Sequence, residues 1–132
     1  MRVYIAGPMT LHRDTDWNFR AFDAAAKRLR ERGHTPVCPS EVDRAVWGFE
    51  GSRDREMREG MTRARILGLD LQLAATCGAI YMLKDWELAS GAIAELALMR
   101  ALDRQVLYEP GAMRGEVGVL PGPREEAADG EA

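Results

Sequence analysis

The stretch SGAIAELALMRAL, from Ser90 to Leu102, holds one acidic residue, Glu95, set among Ala, Ile, Leu and Met. Burying an ionised carboxylate costs free energy unless hydrogen bonds or a positive field offset it. With Ser90 as N-cap, Glu95 falls early in a helix, where the partial positive charge of the helix start favours an anion. A carboxylate placed this way is expected to stay ionised beside an apolar cleft, which suits a nucleophile better than a proton donor. The plainer alternative is a helix-edge glutamate paired with a surface arginine.

Other residues could join it. Asp70, in ILGLDLQLAA, lies among leucines, and reads either as a second buried acid or as the exposed face of an amphipathic helix. In YIAGPM, Tyr4 stands three residues before Gly7, and Gly7, Pro8 and Met9 make a tight turn without the further glycines of a dinucleotide fingerprint. Between Arg44 and Arg65 there are six Arg and four acids. Guanidinium forks match phosphate oxygens, although a solvated charged face accounts for most of them. Trp47 and Trp86 offer flat surfaces to a planar ring, or equally to a core or an interface.

These residues need a scaffold, and the chain alternates strand and helix signals. Arg2 to Ala6 reads as a short buried strand closed by Gly7 and Pro8. Asp16 is placed to cap a helix with Phe19, Phe22, Ala26 and Leu29 on one face, ended by Gly33. HTPVCP reads as a second strand, Ser40 to Arg55 as a long loop, and Asp54 to Thr76 as a helix interrupted near Gly60. GAIYML is a third strand, the Ser90 segment a third helix, and QVLYE a fourth strand. Such alternation predicts a single α/β domain, a parallel sheet with crossover helices on both faces. Ligands bind such sheets beyond the carboxyl ends of the strands. Gly7 to Thr10, Pro39 to Glu41 and Lys84 to Gly91 are therefore expected to share one cleft.

At 132 residues the chain suits one domain, here 1–109, followed by a Gly, Pro, Glu and Ala tail over 110–132 that is expected to be partly disordered. The formal charge of -3 offers no basic excess for a nucleic acid polymer. Cys38 and Cys77 have neither the number nor the spacing of a disulfide framework or zinc site, and no cluster of metal ligands stands out. The apolar run at the start is too brief for a signal peptide, and no stretch approaches membrane-spanning length. The expectation is a cytoplasmic protein with no cofactor, no metal, and no membrane or nucleic acid polymer as partner.

YIAGPM, NFRAFDAAAKRLRERGHTPVCPSE, the Asp70 segment and DWELASGAIAELALMRAL, in this order, resemble the nucleoside 2-deoxyribosyltransferase superfamily, above all its small bacterial and phage branch. The resemblance covers the chain to about Tyr108. It implies a flavodoxin-like, Rossmann-type sheet of about four to five strands, and cleavage or transfer of the N-glycosidic bond of a nucleoside or nucleoside 5′-monophosphate. It places the catalytic glutamate on Glu95, the helix aspartate on Asp70, the motif tyrosine on Tyr4 and the motif glycine on Gly7; together with the cleft loops, this makes Gly7, Pro8, Met9, Trp86, Ser90 and Gly91 the expected substrate-binding positions. Backbone amides at Gly7 to Met9 would then line the sugar. It further implies a homo-oligomer. Two positions depart from the pattern: Gly78 stands where many relatives have a second aspartate, and Ala89 where they have a serine, with Ser90 one place later. A non-catalytic nucleotide-binding module using the same cleft is the alternative.

Overall fold

Val3, Tyr4, Ile5 and Ala6 are all buried, and since successive strand residues point to opposite faces, a strand buried at every position must lie between two layers. The computed structural model, which describes residues 1–114, shows those layers. Val3 and Ile5, with Ala79 and Tyr81, meet Phe22, Ala25, Ala26 and Leu29 on one side. Tyr4 and Ala6, with Ile80 and Met82, meet Ala74, Ala92, Leu96 and Met99 on the other.

The strands are β1 (Arg2–Ala6), β2 (Thr35–Val37), β3 (Ala79–Met82) and β4 (Gln105–Tyr108). They form one parallel sheet in the order β2-β1-β3-β4. The helices are α1 (Phe19–Glu31), α2 (Pro39–Trp47), α3 (Arg63–Ala75) and α4 (Ser90–Ala101). The chain thus has the expected α/β fold with helices on both faces, in the 2-1-3-4 strand order of a doubly wound sheet. Strand order reverses between β1 and β3, and in such sheets the crevice beyond that reversal takes the ligand.

That crevice depends on a missing side chain. A Cβ on Gly7 would sit 2.8 Å from Cβ of Leu83, so only glycine lets the chain leaving β1 pass this close to the end of β3. Gly33 has φ 84°, and its N–H and that of His34 return to the Arg30 and Leu29 carbonyls, closing α1 where the sequence predicts.

Three boundaries differ from the sequence reading. Helix α1 starts at Phe19 rather than next to Asp16, and Asn18, with φ 62°, holds the cap position. Asp16 still satisfies the helix start from further back, accepting from the N–H groups of Asn18 at 2.8 Å and Arg20 at 3.1 Å. Ser40 to Arg55 is not one long loop: Pro39 opens α2, Glu41 lies in its first turn and Gly48 ends it with φ 64°. The next helix begins only at Arg63, where the Thr62 side chain accepts from the Arg65 N–H. The segment before it is pinned by Phe49, packed edge-on against Trp17 and Phe19. Pro110 to Arg114 close back over β4, with the Met113 carbonyl accepting from Trp86 and that of Arg114 from Tyr108. The rest of the expected tail lies outside the described residues. No helix among the described residues is long and apolar enough to cross a membrane.

Candidate active site

Tyr4 is the even-numbered residue of β1 that faces α3 and α4, and Glu95 lies on the inner face of α4. Their side chains meet: the Tyr4 hydroxyl donates to Glu95 Oε2 at 2.8 Å. Tyr4 is fully buried, Glu95 is 6% exposed and Asp70 is 7% exposed. Glu95 and Asp70 both open on a cleft of about 690 Å³ that lies beyond the sheet's carboxyl edge. Its rim comes from Gly7, Met9 and Thr10 after β1, Pro39 after β2, and Leu88 to Ala92 at the start of α4. The three loops expected to share a cleft do share it.

The electrostatics differ from expectation. Helix α4 begins at Ser90 with Ala89 as cap, which puts Glu95 past the first turn, where the field of the helix start has largely faded. Burial pushes the Glu95 carboxyl up, the nearby Asp70 charge pushes it further, and the Tyr4 hydrogen bond only partly offsets them, leaving it at about 8. Asp70 is pushed up to about 7, chiefly by burial and then by the charge of Asp43. Tyr4 is held well above its ordinary range by burial and by the surrounding carboxylates, so it stays a hydrogen-bond donor. In the unliganded cleft Glu95 is therefore mainly protonated near neutral pH, against the expectation of a standing carboxylate. The main cause is burial, with no arginine bonded to either acid among the described residues.

Among the other expected residues, Met9, Ser90 and Gly91 line the cleft with Gly7, and the Ser90 hydroxyl accepts from Arg63. Pro8 and Trp86 do not line it. Pro8 is fully buried, its carbonyl accepts from Asn18, and as a proline it has no amide hydrogen to offer a ligand. Trp86 is fully buried in the core shared with α4, and its indole N–H donates to the Met113 carbonyl at 2.8 Å, so it is not a stacking surface. Trp47 packs on the Trp17, Phe19, Phe49 and Met61 cluster. Gly78 abuts Met1 and Arg2 at the amino end of β3 and does not line the cleft.

A family model described as a domain of unknown function, DUF4406, matches residues 1–108. The chain belongs to this family. No curated protein and no solved structure matches it. The DUF4406 match spans every element that builds the cleft, from β1 through α4.

In this DUF4406 domain a second lobe of about 720 Å³ adjoins the first, sharing Met9, Thr10, Arg13, Asp14, Arg63 and Ile66 with it. Arg13 and Arg63 line both lobes. Of the remaining arginines between Arg44 and Arg65, only Arg55 lines one, while Arg44 and Arg53 pair with carboxylates and Arg58 and Arg65 donate to backbone carbonyls. The second lobe also exposes Asp43, which the sequence reading missed. Reading Ser40 to Arg55 as a loop hid it, although Pro39, Glu41 and Gly48 together carry the start and stop signals of a helix. Among the described residues no group of three or more His, Cys, Asp or Glu is arranged to hold a metal ion.

Proposed function

We propose that the protein cleaves or transfers the N-glycosidic bond of a nucleoside or deoxynucleoside, or of its 5′-monophosphate. The observation that carries this reading is the Tyr4 to Glu95 hydrogen bond, which fixes one carboxyl oxygen at the wall of a cleft with a second acid, Asp70, beside it. The order of sequence motifs that resembles the nucleoside 2-deoxyribosyltransferase superfamily supports it, with its tyrosine, aspartate and glutamate falling on these three residues.

Such a bond breaks through an oxocarbenium-like sugar, and a carboxylate on one face can stabilise or trap that cation. Glu95 takes that part. Asp70, as the proton donor, assists departure of the base, and Tyr4 orients Glu95. Burial pushes both acids up in the unliganded site, which works against the anion that this role asks of Glu95. Growing positive charge on the sugar favours the Glu95 anion, and a basic ring nitrogen draws the proton from Asp70, so the substrate itself sets the working state.

Arg13 and Arg63 at the junction of the lobes are the candidate contacts for a 5′-phosphate. Arg63→Ala is expected to lower kcat/KM for a monophosphate about tenfold more than for the matching nucleoside. The direct assay is chromatography of a nucleoside and nucleotide panel, with and without an acceptor base. Base release at full rate by Glu95→Ala would exclude the mechanism. The upward push that burial gives the Glu95 carboxyl also fits a module that binds nucleotide without turnover. Saturable calorimetric binding of intact nucleotide, with no base released over hours, would select that reading. In line with the resemblance, the working form is a homo-oligomer in the cytoplasm.

A further inference from the structure

Asp43 has no part in the chemistry above. It lies on α2, is 4% exposed and lines the second lobe. Arg44, beside it in sequence, faces away and binds Asp23 and Glu50. Among the described residues the Asp43 carboxyl has no hydrogen-bond or ion-pair partner. Its oxygens are not among the sealed, unpartnered atoms of the described residues, so they reach the lobe they line and are open to a partner that comes from outside. Burial pushes this acid up to about 7, which keeps a large share of it neutral at physiological pH. A neutral carboxyl presents one O–H donor next to one carbonyl acceptor.

The walls around it suit a flat ring. Trp17, Phe49 and Met61 are buried, the first two in edge-to-face contact at 5.5 Å, and with Ile66 and Met57 they form the apolar part of a wall whose other part is charged and includes Arg13, Arg55 and Arg63. Aromatic faces and thioether sulfur are good surfaces for a heterocycle. The two lobes are continuous through six shared residues, and Asp43 and Asp70 are near enough for the charge of one to raise the other. A ligand with its sugar at Glu95 therefore passes Asp70 on its way to Asp43.

We infer that the second lobe is the base subsite, and that Asp43 selects the base through paired hydrogen bonds to a donor and an adjacent acceptor on the edge of a nitrogen heterocycle. This inference rests on the nucleoside reading of the cleft. Its test is calorimetric titration of the full chain at pH 6.5 with free adenine, guanine, hypoxanthine, cytosine and uracil, each variant first shown to be folded by its melting curve. At least one base binds. Asp43→Ala weakens that base about tenfold or more, Asp43→Asn keeps it within about threefold because a carboxamide retains one donor and one acceptor, and Glu95→Ala, on the sugar side, has no larger effect than Asp43→Asn. Should Asp43→Ala not fold, methylating the base on its donor nitrogen is expected to cost the wild-type protein a similar factor.

Unchanged affinity for Asp43→Ala or for the methylated base would overturn the inference, and so would wild-type protein that binds none of the five bases. Release of base from a nucleoside without any free-base binding would sink this assignment and leave the proposed activity standing. Free-base binding that needs Asp43, with no release from any nucleoside or nucleotide, would do the reverse.

Discussion

Asp23 on α1 and Asp70 on α3 are the same side chain in opposite settings. Burial pushes Asp23 upward, yet hydrogen bonds from Arg44 at 2.7 and 2.9 Å and from Ser40 at 2.7 Å outweigh it, and its carboxyl stays below the usual range. Arg44 also holds Glu50 at 2.7 Å and lies over the Phe19 ring at 5.0 Å. This corner of the molecule is a finished ion-pair network joining α1, α2 and the loop after it. Asp70 has burial and the charge of Asp43 acting on it, with no arginine bonded to it, and rises to about 7. Glu95 has only a tyrosine hydroxyl and rises to about 8. Arg44 is bonded to the acids that hold structure together, whereas Arg13 and Arg63 line the cleft without bonding to its acids. Buried acids with no basic partner cost stability, and the cleft keeps three that are bonded to no arginine, Asp43, Asp70 and Glu95. A ligand that supplies charge or hydrogen bonds repays that cost.

The contrast can be broken from either side. The largest effect is expected at Glu95: replacing it with alanine should lower the rate of base release by roughly 10³-fold or more, measured by chromatography on the best substrate of the panel. Tyr4→Phe removes the one hydrogen bond that favours the Glu95 anion. It should cost roughly 10- to 100-fold in kcat, and since that bond lowers the Glu95 pKa, the limb of the pH profile near 8 should move to higher pH.

In the wild type, kcat/KM should be bell-shaped. Below about 7 both Asp70 and Glu95 are protonated and no anion faces the sugar; above about 8 both are ionised and no proton is available to the base. The maximum falls between these values, and a profile flat from pH 6 to 9 would show that this pair does not carry the reaction.

Stability should follow the opposite pattern in the two regions. Arg44→Met leaves Asp23 and Glu50 without their cation, and should lower unfolding stability by about 1 to 2 kcal/mol in denaturant titrations while leaving kcat/KM within about threefold. Glu95→Gln should do the reverse, stabilising the fold while abolishing turnover. The folded state keeps the Glu95 proton to about 8, whereas the unfolded chain loses it near 4.5. Wild-type stability therefore falls as pH rises through that window. Glutamine does not titrate, so its advantage should be near zero at pH 4 and about 1 to 2 kcal/mol at pH 9.

Most of the frame is legible in the sequence because it rests on local signals. The four strands announce themselves as short apolar runs between turn residues, Gly33 marks the end of α1, and the three cleft loops follow from strand order. Glu95, Asp70 and Tyr4 are identified by their place in the motif order, and the structure brings them together. What the sequence does not carry is the field at each side chain. Glu95 reads as an anion at a helix start because its distance from the cap and the lack of a bonded arginine cannot both be seen in one dimension. Trp86 reads as a stacking surface because nothing local says that the Met113 carbonyl takes its N–H. Asp43 is hidden because Ser40 to Arg55 reads as a loop; it becomes visible only when α2 forms and brings it to the wall of the second lobe.

The central claim is that Glu95 attacks or shields the anomeric carbon of a bound sugar. Its most direct test is intact-mass and peptide mass spectrometry of protein quenched while reacting with a 2′-fluoro nucleoside or nucleotide, a substitution that slows departure of a trapped sugar. The account predicts an added mass equal to the fluorinated sugar, with its 5′-phosphate if present, on the peptide containing Glu95, and none in Glu95→Ala. An adduct on another residue, or base release at the wild-type rate from Glu95→Ala, would contradict it.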